Sequence, residues 1–224
     1  MKVIGTADGS KTLYSERFAE HYHSVFGAAS ESEHVFVEAG YLSFRFQVSS
    51  SKFQESVSVL EIGFGTGLNA WITLRQASRM QLSTYYEAVE CYPIEESTAC
   101  ELSDDELFRS LHAAAWEQAV EITPHFTLRK RKCNLLQALQ SSIFSRSFDV
   151  VYFDAFSPGA QPEMWSRDVF SFLHAAMNPG GVLTTYCAKG EVRRIMKGVG
   201  FSVERLPGPA GKREMLRSRK AGNA

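Results

Sequence analysis

From residue 57 onward the apolar positions gather into short β-rich runs separated by stretches of helical spacing. The runs predict strands at 57–62, 85–90, 124–130, 148–153, 181–186, 200–205 and 213–217. Helices fit between them, at roughly 67–79, 134–143, 163–177 and 189–198. Such alternation argues for a mostly parallel sheet covered by helices on both faces. Residues 93–122 read as a longer helical excursion, amphipathic at Leu102, Leu107, Leu111 and Trp116. Asn178-Pro179-Gly180-Gly181 is a stop-and-turn signal ahead of a strand. Pro207-Gly208-Pro209-Ala210-Gly211 reverses the chain between the last two strands.

The first 56 residues read differently. Asp8-Gly9-Ser10 forms a turn, and Ser15-Glu16 opens a helical stretch over 17–26, closed by Gly27. Phe18, Tyr22 and Phe26 recur every fourth residue and so share a face of that helix, a pattern typical of core. Val35-Phe36-Val37 and Leu42-Ser43-Phe44-Arg45-Phe46 look like two strands around Gly40. The predicted organisation is therefore an N-terminal extension, 1–56, ahead of a main domain, 57–224.

Composition narrows the class. A length of 224 residues suits one domain with a modest extension, and 44% hydrophobic with 22% charged residues is ordinary for a globular chain that buries a core. The four cysteines, Cys91, Cys100, Cys133 and Cys187, form no Cys-x-x-Cys pair, so neither a zinc site nor a redox pair is indicated. Their spread suits reduced thiols in a cytosol. The polar N-terminus lacks the apolar core of a signal peptide, and no apolar run approaches membrane-spanning length. The expected location is cytoplasmic. The net charge of −1 hides an asymmetry: from Tyr186 to Ala224 ten basic residues stand against three acidic ones. A second basic run is Arg129-Lys130-Arg131-Lys132. Either one face is built for a polyanion, or these are solvated surface charges.

The candidate chemistry sits where strands end, because ligands of open α/β sheets bind at the carboxyl ends of the strands. Val59-Leu60-Glu61-Ile62 runs into Gly63-Phe64-Gly65-Thr66-Gly67-Leu68-Asn69. Glycine permits positive φ there and a close backbone approach to a ligand. The spacing is Gly-x-Gly-x-Gly, not the Gly-x-Gly-x-x-Gly of dinucleotide sites. Preceded by an acid, it resembles the first motif of Rossmann-like S-adenosylmethionine (SAM) methyltransferases. Glu90 closes the second strand, where a carboxylate can accept from both ribose hydroxyls. Asn134 follows the third strand; it suits an adenine amino group and equally a helix N-cap. Asp154 ends the apolar run Phe148-Asp149-Val150-Val151-Tyr152-Phe153, and a carboxylate emerging from a buried strand is costly unless used. Pro162 suits the first position of the helix that follows.

Four stretches extend the resemblance to one family. They are Asp8-Gly9-Ser10-Lys11-Thr12-Leu13-Tyr14-Ser15 with Glu20-His21-Tyr22-His23-Ser24 and Gly27-Ala28; Leu60 to Asn69; Phe153-Asp154-Ala155-Phe156-Ser157-Pro158 with Pro162-Glu163-Met164-Trp165; and Val192-Arg193-Arg194 with Gly200-Phe201, Pro207-Gly208 and Lys212-Arg213-Glu214-Met215-Leu216. Together they resemble the methyltransferase half of the bifunctional tRNA 5-methylaminomethyl-2-thiouridine biosynthesis proteins and its stand-alone relatives. Ordinary methyltransferases lack the first and third stretches. Two departures stand out. The flavin-dependent oxidoreductase half is not in this sequence, so no FAD-linked step is expected of it. The family also tends to carry an acid where this chain has Asn134.

The resemblance implies a class I SAM-dependent methyltransferase fold: a seven-stranded, mostly parallel sheet whose last strand is antiparallel. It implies methyl transfer from SAM to the primary amine of 5-aminomethyl-2-thiouridine at the tRNA wobble position, with no metal. Asp154 is the expected catalytic residue. SAM would be held by Glu61, Gly63, Gly65, Thr66, Gly67, Asn69, Glu90, Asn134 and Asp154. Tyr14, Phe156, Met164 and Trp165 would wall the uridine pocket, where a splayed-out base stacks on aromatic rings. Arg193, Arg194, Lys212 and Arg213 would hold tRNA phosphates. Expected partners are tRNA and a separate FAD-dependent oxidoreductase or the enzymes that install the aminomethyl group, with no membrane. His21 and His23 read as structural. Two other functions fit the same fold: an aminopropyltransferase of the spermidine-synthase kind, which needs a second acid in the pocket, and a non-catalytic RNA-binding relative.

Overall fold

The computed structural model describes residues 1–47, 56–139 and 143–222. Its centre is an eight-stranded sheet of β4 (Ser56–Ile62), β5 (Ser83–Glu90), β6 (Ala119–Thr123), β7 (Phe126–Lys132), β8 (Phe148–Phe153), β9 (Met177–Thr185), β10 (Ser202–Pro207) and β11 (Glu214–Arg219). The order across the sheet is β10-β11-β9-β8-β4-β5-β7-β6. Strands β7, β5, β4, β8 and β9 pair in parallel, and β11 runs antiparallel to both β9 and β10. The reversed last strand is as expected, but among the described residues the sheet has eight strands where seven were expected. The added strand is β6, which pairs antiparallel with β7 at one edge and lies inside the stretch read as a helical excursion. Val120 and Ile122 alternate with exposed Ala119 and Glu121, and Pro124-His125 turns the chain straight into β7. The rest of that excursion is α4 (Glu96–Leu102) and α5 (Glu106–Ala113). Asp105 separates them, capping α5 by accepting from the Phe108 amide at 2.9 Å.

The central strands β4 and β8 are largely apolar on both faces because both faces are covered. On β4, Val57 and Val59 enter one core layer while Leu60 and Ile62 enter the other; on β8, Val150 and Tyr152 oppose Val151 and Phe153. The second layer is closed by α7 (Arg167–Ala176) and α8 (Gly190–Gly198), through Phe170, Leu173 and Met196. The first is closed by α3 (Leu68–Met80) and by the N-terminal segment.

That segment departs from the reading of its sequence. The expected strands at 35–37 and 42–46 are instead one helical rod: α1 (Ala28–Ser32), a π-helical stretch Glu33–Leu42, and α2 (Ser43–Gln47). Val35, Phe36, Val37 and Tyr41 are all buried, because the rod lies between the sheet and α3. Its consecutive buried residues Val35, Phe36 and Val37 are β-branched and aromatic and imitate a strand, while Glu33 and Glu38 stay exposed. Gly40 allows the close packing: a Cβ there would lie 3.0 Å from the Tyr152 ring and 3.2 Å from the Thr184 hydroxyl.

The helix expected over 17–26 is absent. Glu20–His21 is a short strand, β3, completing a small antiparallel sheet with β1 (Lys2–Gly5) and β2 (Lys11–Ser15). Ala19 sits at φ 52°, which breaks any helix at that point. The remaining helices hold with shifted ends. The one expected over 163–177 is a 3-10 turn, Pro162–Trp165, followed by α7, and the one expected over 134–143 is α6 (Leu135–Ala138), with 140–142 outside the described residues.

Candidate active site

Four parallel strands end side by side and leave their last residues at one rim. Amide–carbonyl bonds lock them there: Gly63 to Val89 at 2.9 Å, Asp154 to Ile62 at 3.0 Å and Cys133 to Glu90 at 3.1 Å. Above this rim opens a cavity of about 400 Å³, within the range of small-molecule sites. Gly63, Gly65, Glu90, Asn134, Asp154, Phe156, Met164 and Lys212 line it, all of them expected from the sequence.

The glycine loop is as tight as its spacing implies. Gly63 has φ 93°, and a Cβ there would stand 2.6 Å from the Asp154 carbonyl oxygen. Glu90 holds the loop's far side, accepting from the Gly65 amide at 2.9 Å and the Tyr92 amide at 2.8 Å. Asn134 does cap its helix, accepting from the Leu136 amide at 3.0 Å, while still lining the cavity. Thr66 is buried and is not part of the cavity lining. Its hydroxyl meets His23 Nε2 at 2.7 Å, and its carbonyl meets His112 Nε2 at 3.0 Å. Burial pushes both histidines down to about 4, so they are neutral pins for the loop.

Asp154 is the most perturbed carboxylate facing the cavity. Burial, reinforced by the nearby Glu31 charge, raises it to about 7; hydrogen bonding to Asn69 and the Lys212 charge oppose the rise. Asn69 Nδ2 donates to Asp154 Oδ2 at 2.8 Å and to Glu61 Oε1 at 2.9 Å. Glu61 is fully buried behind Asn69, and burial holds it well above the usual carboxylate range, as a neutral acid. Glu61 and Asn69 thus lie off the cavity lining, with the Asn69 amide linking Glu61 to Asp154, and Gly67 also lies off the lining.

The remaining sequence-expected residues separate into three groups. Phe156 and Met164 are wall residues. Trp165 supports them: it is buried against Phe153, and its indole N–H donates to the Phe156 carbonyl at 2.8 Å. Tyr14 packs on His21 at 5.2 Å between centroids and does not reach the cavity. Arg193 and Arg194 on α8 and exposed Arg213 lie off the lining, whereas Lys212 turns inward and ion-pairs with Glu31. The run Arg129–Lys132 is no continuous surface patch. Lys130 is buried against Phe64 and Trp116, and Arg131 pairs with buried Glu87.

Several site residues escaped the sequence reading. Phe18 stacks on Phe156 at 4.2 Å and Tyr22 meets the same ring edge-on at 5.1 Å, so the supposed core stripe is a roof over the site. Glu20 fastens that roof by accepting from the Ser157 amide at 3.0 Å and from its hydroxyl. Glu31 and Tyr186 complete the wall near Asp154. Glu20 and Tyr22 fell within a family-like stretch, which was their one signal; Glu31 had none, since an acid near a helix start usually faces water.

A parallel sheet with a reversed last strand, a glycine turn after its first strand and an acid after its second define a nucleoside-binding transferase. The model of the S-adenosyl-L-methionine-dependent methyltransferase family matches residues 101–221, and the chain belongs to that family. It is 30% identical over 221 residues to the tRNA 5-methylaminomethyl-2-thiouridine biosynthesis bifunctional protein MnmC of Nitrosospira multiformis, covering 91% of this chain and 34% of that protein. It is 31% identical over 234 residues to the protein of the same name from Magnetococcus marinus, covering 96% of this chain and 34% of that one. The chain therefore spans only a part of the curated relatives it matches. The crystal structure of MnmC2 from Aquifex aeolicus shares its fold, with a TM-score of 0.81 at 23% identity over 100% of this chain and 71% of that one. SAM-bound CalS10 from Micromonospora echinaspora shares it more distantly, with a TM-score of 0.51 at 13% identity over 89% of this chain and 98% of that one.

The residues present fit SAM. Glu90 offers a carboxylate for ribose hydroxyls, Asn134 a side-chain amide, Ile62, Val89 and Leu135 an apolar bed, and the glycine loop a wall without side chains. None of the described helices is long and apolar enough to cross a membrane.

Proposed function

We propose that the chain methylates the aminomethyl nitrogen of 5-aminomethyl-2-thiouridine at the tRNA wobble position. The observation that carries the reading is Asp154, a carboxylate raised to about 7 at the floor of an aromatic-walled cavity. The names of the relatives supply the substrate class. When bound, SAM supplies a methyl group already activated on a sulfonium.

The protein's part is positioning and proton handling. An alkylammonium has a pKa near that of lysine, about 10.4. It cannot attack until it loses a proton. Moving that proton to an ordinary aspartate is uphill by about 9 kcal/mol, at about 1.4 kcal/mol per pH unit. With Asp154 near 7 the gap narrows to about 5 kcal/mol. Phe156, Met164 and the roof residues Phe18 and Tyr22 shape a slot for a flipped-out pyrimidine. Glu90 and Asn134 take the ribose and adenine sides of the cofactor, and the glycine loop its amino-acid tail. Free arginines on α8 and Arg213 meet tRNA phosphates.

On the same reading, residues 57–224 form the methyltransferase unit and residues 1–56 an N-terminal extension, of which the described part, 1–47, packs against it. The protein works in the cytoplasm with tRNA, and a separate oxidoreductase or the aminomethyl-installing enzymes supply the substrate. The aminopropyl alternative asks for a second acid near Asp154, and Glu31 is such an acid. The family match, however, makes methyl the transferred group.

The deciding experiment is incubation with labelled SAM and bulk tRNA from cells lacking this methylation, followed by nucleoside mass analysis. Label in 5-methylaminomethyl-2-thiouridine is the expected result. SAM bound without label in tRNA would overturn the acceptor and redirect the search to small amines.

A further inference from the structure

Lys212 sits in an unusual place for a residue of a basic tail. The turn between β10 and β11 carries it into the cavity, where it pairs with Glu31. Its ammonium lies 4.0 Å from the centroid of the Tyr186 ring. Glu31 approaches from α1 and is only 4% exposed. Its other oxygen accepts from the Ser24 amide at 2.6 Å, which fixes the carboxylate in place. Tyr186 is fixed too, because its hydroxyl donates to the Ala155 carbonyl at 2.8 Å, one peptide beyond Asp154. A rigid carboxylate and an aromatic face together enclose a primary alkylammonium, the arrangement that recognises such cations elsewhere.

The end of a lysine side chain, –CH2–NH3⁺, is the same group as the protonated aminomethyl arm of the proposed acceptor. We propose that Glu31 and the Tyr186 ring form the recognition site for the acceptor's alkylammonium, and that Lys212 is its internal stand-in, displaced when the acceptor enters. The inference rests on the reading that the acceptor is a primary amine.

The physics favours exchange over simple binding. Removing one partner of a buried ion pair leaves an uncompensated charge and is strongly destabilising. An incoming ammonium replaces Lys212 without stranding Glu31; a neutral hydroxyl of the same size strands it. Selectivity for amine over alcohol follows directly. The Lys212 side chain is 32% exposed, so it reaches water by rotating its flexible stem. Released there, at the cavity rim, it becomes available to an RNA phosphate. Charge is conserved throughout: one ammonium leaves Glu31 as another arrives.

The test is an NMR titration of the full chain with n-butylammonium and with n-butanol as probes, on the wild type and on the variants Glu31→Gln and Lys212→Met. Lys212→Met is expected to bind butylammonium about tenfold more tightly than wild type, since the competing cation is gone. Glu31→Gln is expected to lose the preference for butylammonium over butanol. Equal butylammonium affinity in Lys212→Met and wild type, no binding to Lys212→Met, or a preference that survives in Glu31→Gln would each overturn the proposal. Should Glu31→Gln not fold, Lys212→Met decides alone. The readout is amine binding, not methyl transfer, so failure of the tRNA reaction and failure of this site are told apart.

Discussion

Asn69 Nδ2 donates a hydrogen bond to Asp154 Oδ2 at 2.8 Å. The same nitrogen reaches the buried, neutral Glu61, so the amide is held between one acid that keeps its proton and one poised to exchange it. This bond stabilises the carboxylate form of Asp154 against the burial that disfavours it. Hydrogen bonds to charged groups contribute about 1.5–3 kcal/mol, or about one to two pH units. In Asn69→Ala the acidic limb of the kcat/KM profile should therefore move upward by about that much. A pH–rate series on the variant checks this; an unmoved or lowered limb would detach Asn69 from the proton chemistry.

Asp154→Asn removes the proton acceptor while keeping its shape. Turnover should fall by about 10²–10⁴-fold, with SAM affinity changed only a few-fold. Stability should respond in the opposite sense. In the folded protein Asp154 holds its proton up to about 7, against 3.8 for the ordinary group. Between those values the folded state binds more protons than the unfolded one, so this residue's contribution worsens as pH rises through that window. Asp154→Asn should melt higher than wild type at pH 8 and close to it at pH 3.5. An inactive variant with no gain at pH 8 would mean that Asp154 is not held against its solvation preference.

Four of the site residues legible in the sequence share a property: each closes a strand. Gly63, Glu90, Asn134 and Asp154 were found because strand ends in an α/β sheet converge, so local pattern and global position coincide. The misread parts lack that coincidence. Residues 33–42 are helical, yet their apolar residues miss the ordinary α-helical period, because the stretch is wound as a π-helix and buries Val35, Phe36 and Val37 in succession. Phe18, Tyr22 and Phe26 have the right spacing for a helix that the chain does not form, since Ala19 and the Glu20–Ser157 clasp set the path of residues 16–27. Glu31 and Lys212 are 181 residues apart and meet only after the whole sheet has formed. No window of sequence contains that pair.

His23 ties stability to acid. Burial depresses it from 6.5 to about 4, so its neutral form is required by the fold. Its contribution is complete above 6.5 and is lost as pH falls towards 4, to a limit of about 3 kcal/mol. Asp154 acts in the opposite direction over an overlapping range, so the net curve is shallower than either alone. Replacing His23 with Gln keeps a polar partner for the Thr66 hydroxyl while removing the titration. Urea unfolding at pH 7.0 and 4.5 should show a smaller acid-induced loss in the variant. An equal loss would assign the acid sensitivity to other groups, His112 first among them.

The basic C-terminal segment is less available than its charge count suggests. Arg205 pairs with Glu214, Arg217 and Arg219 share Glu204, Lys220 donates to the His174 and Met177 carbonyls, and Lys212 turns inward. Arg193, Arg194, Lys197 and Arg213 make no ion pair among the described residues, and three of these four stand on α8. A phosphate contact from an unpaired arginine releases counterions without first breaking an internal bond. Each such contact contributes about 0.7–0.9 to the slope of log K against log salt. Reversing Arg193 and Arg194 to Glu should weaken tRNA binding and reduce that slope by about two contacts' worth. Arg205→Gln, at a residue already spent on Glu214, should leave the slope unchanged. Binding isotherms at four salt concentrations distinguish the cases: equal slopes for all three proteins would return the α8 face to ordinary solvated surface, and a loss confined to Arg205→Gln would move the RNA contact to the β10–β11 edge.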